Sequence, residues 1–62
     1  MLSGWDHVCL RVDSTDEAIT ELRRRGVTIV REPFDVPPIS RRIAFFSDPW
    51  GNLFELIQRI DV

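Results

Sequence analysis

The chain of 62 residues has a single histidine, His7, at the head of an alternating run, His7-Val-Cys-Leu-Arg-Val12, and Glu55 lies inside a second such run, Leu53-Phe-Glu-Leu-Ile57. Side chains of a strand alternate between faces, so His7, Cys9 and Arg11 share one side of the first run, and Glu55 shares a side with Leu53 and Ile57 of the second. A carboxylate on an otherwise apolar strand needs a partner wherever it is buried. Two readings answer that need. In one, His7 and Glu55 form an ordinary hydrogen-bonded pair, or each is wet on an open sheet face. In the other they bind a divalent metal, since neutral imidazole and carboxylate suit zinc, nickel, manganese or iron. Two ligands alone hold a catalytic metal poorly.

Three further residues are candidates for substrate contact. Cys9 reads either as a small buried hydrophobe or as part of the site. Arg11 is either a rim residue with a solvated head or a group that grips a substrate carboxylate. Phe45 and Phe46 must point to opposite faces, one lining the site and the other filling the core; alternation does not decide between them, and Phe46 is taken as the contact. Trp5 and Trp50 read as packing or interface anchors.

These groups need a scaffold. Val8, Leu10 and Val12 form the face of the first strand opposite His7, and Asp13-Ser-Thr stops it. Ser14 with Glu17 three residues later has the spacing of a capping box, which predicts a helix from about Thr15 to Arg25. Ala18, Ile19 and Leu22 are its apolar stripe, and Gly26 ends it. Val27 to Glu32 reads as a second strand stopped by Pro33, and Phe34 to Ser40, with two consecutive prolines, as a loop or irregular edge. Arg41–Ser47 and Leu53–Arg59 are two more strands joined by a tight turn, Asp48-Pro-Trp-Gly-Asn52. Phe54 and Leu56, which share their side of the strand with Gln58, then join Val8, Leu10 and Val12 as the seat of the helix, with His7 and Glu55 on the opposite face.

Composition limits the function classes. A chain of this size makes one small domain, in a range where a core needs disulfides, metals or association. One cysteine permits no internal disulfide, and 44 % apolar residues exceed what one thin layer hides, so a homodimer or larger assembly is expected. A net charge of −2 and the lack of lysine argue against a nucleic-acid partner, with Arg23-Arg-Arg25 read as the solvated last turn of the helix. No apolar run approaches the ~20 residues of a membrane span. Met1 is not followed by the pattern of a signal peptide. A cytoplasmic protein is the expectation, a compartment that suits a lone thiol.

One strand, one helix and three strands in this order resemble a βαβββ module of the vicinal oxygen chelate superfamily, which includes glyoxalase I, extradiol dioxygenases and bleomycin-resistance proteins. The likeness runs from about Asp6 to Gln58 and is sharpest over Phe45-Phe-Ser-Asp-Pro-Trp-Gly-Asn-Leu-Phe-Glu-Leu-Ile57. Family members commonly carry Asp-Pro-Asp-Gly-Asn before a Glu-Leu pair, and Trp50 replaces the middle Asp here. The resemblance implies an α+β fold, a single module over residues 1–62 with a mixed four-stranded sheet and one helix, half of the usual two-module domain. It also implies that His7 and Glu55 are metal ligands and that Glu55 is catalytic. Pairing about a two-fold axis would assemble two His7 and two Glu55, a set that resembles the ligands of glyoxalase I. In that family the metal chelates vicinal substrate oxygens and stabilises an enediolate while a glutamate moves the proton. Metal binding should then weaken below about pH 6.5, the unperturbed histidine value. Three functions are compatible with this: a metal-dependent glyoxalase-like lyase or isomerase (or a dioxygenase) built from two chains, a small-molecule binding protein of the bleomycin-resistance kind, and a half-domain without activity of its own.

Overall fold

The computed structural model describes residues 7–61. The expectation for Trp5 therefore lies outside the described residues. The elements run β1 (Val8–Arg11), α1 (Thr15–Arg24), β2 (Thr28–Val36), a 3-10 turn (Pro37–Ile39), β3 (Arg41–Ser47) and β4 (Leu53–Arg59). They form one mixed sheet in the order β1-β4-β3-β2, with β1 parallel to β4 and the other neighbours antiparallel. The helix carries the chain from one edge of the sheet to the other, and the two remaining strands fill the gap.

Local sequence accounts for α1. Ser14 is extended, and its hydroxyl accepts the Glu17 N–H at 3.1 Å, satisfying an amide that has no partner within the helix. At the other end the Val27 N–H donates to Leu22 O and the Gly26 N–H to Arg23 O, both at 3.0 Å. This crossed pair needs a left-handed residue, and Gly26 supplies it at φ 81°. Arg23 pairs with Glu32, while Arg24 and Arg25 reach Glu21, so the basic run is a solvated helix end as expected. The first turn is anchored to β4 through Gln58, whose Oε1 accepts from the buried Thr15 at both N–H (2.9 Å) and hydroxyl (3.0 Å).

The core lies where the alternation puts it. Ile19, Ala44 and Leu56 are almost fully buried, ringed by Val12, Ala18, Leu22, Ile29 and Phe46. The helix thus packs on the Leu56 side and leaves Glu55 on the other. Val8 and Leu10 share the helix side but stay exposed, at 49 % and 41 %, against the expectation that the helix would seat on them. A helix ~10 Å across cannot cover four strands spaced ~4.8 Å apart, and α1 sits toward the β2 side.

A second difference concerns Pro33. The expected stop at this residue does not occur, and β2 continues through it to Val36. Pro33 is tolerated because β2 is an edge strand, where a missing N–H need not break the ladder. The pairing with β3 shifts between Ile29 and Arg31 and again between Arg31 and Phe34. The irregular pairing thus lies between Ile29 and Phe34, while Phe34 to Val36, expected as a loop or irregular edge, pairs in regular register with Arg41 to Ile43. Pro37 and Pro38 open the 3-10 turn, where their lack of an N–H costs nothing.

The β3–β4 turn is tied by Asp48. Its Oδ1 accepts the N–H groups of Trp50 (3.0 Å) and Asn52 (2.8 Å), its Oδ2 accepts from the Asn52 side chain (2.8 Å), and Gly51 takes φ 85°. These bonds, the one from the Asn52 side chain foremost, hold the Asp48 carboxyl below its ordinary value. A carboxyl whose folded value is depressed stabilises the fold above the unfolded value, and that contribution fades as pH falls through the folded one. Thermal melts should therefore show Asp48→Ala melting lower than wild type at neutral pH, with the gap closing below about pH 4. A gap that does not change with pH would show that the turn does not depend on the charge.

Candidate functional site

The sheet face that carries no helix is laid out in rows by the strand register. Cys9, Glu55 and Phe45 lie side by side across β1, β4 and β3; Arg11, Ile57 and Ile43 form the next row; Arg59 and Arg41 form the last. His7, just before β1, reaches Glu55, with Nε2 and Oε1 2.7 Å apart and the side chains 26 % and 17 % exposed. Where the carboxylate is ionised it can only accept, and Nε2 is then the donor of this bond. The Phe45 ring stands edge-on to His7 at 6.1 Å and stacks with Phe34 at 6.4 Å, forming an apolar flank to the pair.

The structure thus brings His7 and Glu55 together, with Cys9 and Arg11 on the same face. Two expectations are corrected. Cys9 is exposed rather than buried in the core, because β1 is at the sheet edge. Its thiol is nevertheless held above its ordinary value, first by partial desolvation and then by the charge of Glu55, with Arg11 pulling the other way. Phe46 is not on this face: it pairs with Phe54 across the strands, stacks on it at 4.9 Å and packs on the helix-side core. Phe45 is the aromatic beside His7. Trp50 is 82 % exposed at the turn. Arg41 and Arg59 also lie on the His7 face, which went unread although Glu55, Ile57 and Arg59 follow one another at strand period.

Imidazole nitrogen and carboxylate oxygen converging at the edge of a half-buried face are a fitting half of a divalent-metal site. Among the described residues no cluster of three or more His, Cys, Asp or Glu gathers around them. A metal held here would need donors from elsewhere.

Residues 3–56 match the family model of the Glyoxalase/Bleomycin resistance protein/Dioxygenase superfamily. The chain belongs to this superfamily. Among its relatives is the lactoylglutathione lyase of Salmonella typhimurium, 38 % identical over 61 residues, which cover 98 % of this chain and 45 % of that protein. The lactoylglutathione lyase of Arabidopsis thaliana is 35 % identical over 57 residues, 92 % of this chain and 20 % of the relative. The fold superimposes on glyoxalase I from Zea mays with a TM-score of 0.78 at 39 % identity, covering 90 % of this chain and 20 % of that one. A superfamily member from Sphaerobacter thermophilus gives 0.75 at 38 % identity, covering 84 % and 41 %. The chain therefore spans less than half the length of these superfamily relatives, and its four-stranded mixed sheet with one helix is a glyoxalase-fold βαβββ module. No helix among the described residues is long and apolar enough to cross a membrane.

Proposed function

We propose that this module forms half of a metal-dependent, glyoxalase-like lyase or isomerase acting on a small molecule with vicinal oxygens, with its site completed between two modules. The convergence of His7 Nε2 and Glu55 Oε1 on the helix-free face carries the reading. Both residues stand at the positions where the superfamily resemblance expects metal ligands. A divalent ion (zinc, nickel, manganese or iron) would be held by His7 and Glu55 of each copy and would supply Lewis-acid stabilisation of charge on substrate oxygen. Glu55 is the group on this face suited to hold or move a proton at its Oε1, and Cys9, Arg11 and Phe45 border the substrate.

Self-association is part of the same reading. The described fold is only 15 Å thick along its shortest axis, and Val8, Leu10, Val30 and Ile39 are exposed. A second copy could cover part of this surface and add the missing donors.

The direct hydrogen bond between His7 and Glu55 favours one other function, a small-molecule binding protein of the bleomycin-resistance kind, in which the pair serves as polar contacts without metal. Elemental content and native mass separate the two. Protein purified without added metal or chelator is expected to have twice the chain mass and one transition metal per two chains. A metal-free dimer would favour the binding protein, and a folded monomer would set both assemblies aside.

A further inference from the structure

We infer that Phe45, backed by Phe34 and Arg31, is the positioning residue for the His7 imidazole, holding the ring at the angle from which Nε2 meets Glu55. Backbone pairing does not fix His7, which lies one residue ahead of the ladder between β4 and the edge strand β1. Its side chain leans inward over the sheet to bond Glu55 of β4 and to reach Phe45 of β3. The two ring centroids are 6.1 Å apart with the planes at 66°, a favourable edge-to-face geometry for aromatic rings. The bond to Glu55 places Nε2 but not the plane of the ring, and the nitrogen lone pair lies in that plane. Loading a metal on Nε2 also removes this hydrogen bond, whereas the ring contact does not depend on it. Groups outside the ligand set that orient a histidine tune metal affinity.

An irregularity in β2 aims the supporting group. Arg31 stands opposite Phe45 and Phe34 opposite Ile43, so three residues of β2 run against two of β3. One extra residue exchanges the faces of the side chains that follow it. In regular pairing from Arg31 onward Phe34 would face the helix side. The bulge turns it instead to the His7 face, where its ring stacks with Phe45 at 6.4 Å and the planes lie 21° apart. The Arg31 guanidinium lies over the Phe34 ring, 4.1 Å from its centroid, a cation–π contact that holds the stack from the edge of the sheet. Bulges are over-represented beside functional sites because they re-aim a side chain in this way. As a device for orienting a metal ligand the stack rests on the metal reading of His7 and Glu55. As a device for fixing the ring it operates in the metal-free protein.

Side-chain NMR of the metal-free protein and calorimetric titration with zinc alone test the assignment. His7 is the single histidine of the chain, so its signals stand apart. Three-bond couplings of its side chain are expected to report one rotamer in wild type and rotamer averaging in Phe45→Leu, with circular dichroism showing both folded. Zinc affinity should fall about tenfold in Phe45→Leu, the low end of what losing an orienting group does, and Phe45→Tyr should restore both the rotamer and the affinity. Phe34→Leu should give an intermediate loss. Phe46→Leu removes the neighbouring ring from the helix-side core, so it should lower the melting temperature yet leave the His7 couplings and zinc affinity unchanged. Fixed couplings or undiminished zinc affinity in a folded Phe45→Leu, or an equal loss in Phe46→Leu, overturn the assignment. If folded wild type binds no zinc, the metal reading falls and the couplings alone decide: averaging in Phe45→Leu with recovery in Phe45→Tyr sustains the positioning role, and its absence ends it.

Discussion

Glu55→Gln is expected to lower the affinity for zinc or nickel by at least ~100-fold, more than is usual when only a partner that orients a ligand is lost, while native mass and melting cooperativity persist. The substitution keeps the side chain's shape and leaves an amide oxygen to accept the His7 N–H, so the sheet has no reason to rearrange. It removes an anionic donor from each copy, however, and two such losses fall on one proposed site. Titration of metal-stripped wild type and variant with the metal alone, followed by calorimetry, gives the answer directly. The wild-type affinity should also decline as pH is lowered, because a metal ligand must be neutral imidazole or ionised carboxylate and added protons compete for both. Equal affinities in wild type and variant, or no binding by a folded wild type, would leave the binding-protein function in front.

The largest effect on stability is expected from Leu56→Ala. Leu56 is 3 % exposed and touches the helix through Ile19, in a core with few other fully buried side chains. Truncating a buried leucine costs about 3 kcal/mol. At ~0.05–0.15 kcal/mol per residue, a domain of this size has roughly 3–9 kcal/mol to lose. Urea unfolding followed by circular dichroism should show the variant unfolded, or with its midpoint near zero denaturant. Ile57→Ala, one residue along on the opposite and only partly covered face, should cost clearly less. Similar midpoints for the two variants would mean that the helix-side core does not carry the fold.

Much of this organisation could be read from residue order. Ser14, Glu17 and Gly26 announce the ends of α1 because capping is chemistry within a few residues of chain, and the opposite faces of Glu55 and Leu56 follow from a period of two. What the sequence left open depended on contacts across strands. Which of Phe45 and Phe46 stands beside His7 is decided by the turn, which pairs Ser47 with Leu53; a turn one residue shorter or longer would exchange them. The confrontation of Arg41 with Arg59 has the same origin. Pro33 within β2 and the exposure of Val8 and Leu10 depend on which strands end up at the edges and how far one helix reaches, and no window of adjacent residues holds that information.

The two edges of the sheet are unlike, and this bears on how the module can associate. β2 presents a prolyl ring and a ladder whose register slips twice, a poor template for another strand. β1 is short and regular, is paired among the described residues only with β4, and carries exposed Val8 and Leu10 on one face. Two copies joined through β1 would turn only their blunted sides outward, so growth would stop after one addition. In such a pair the irregular strand would act as a terminator, keeping a sheet with an open flank from extending into a fibre.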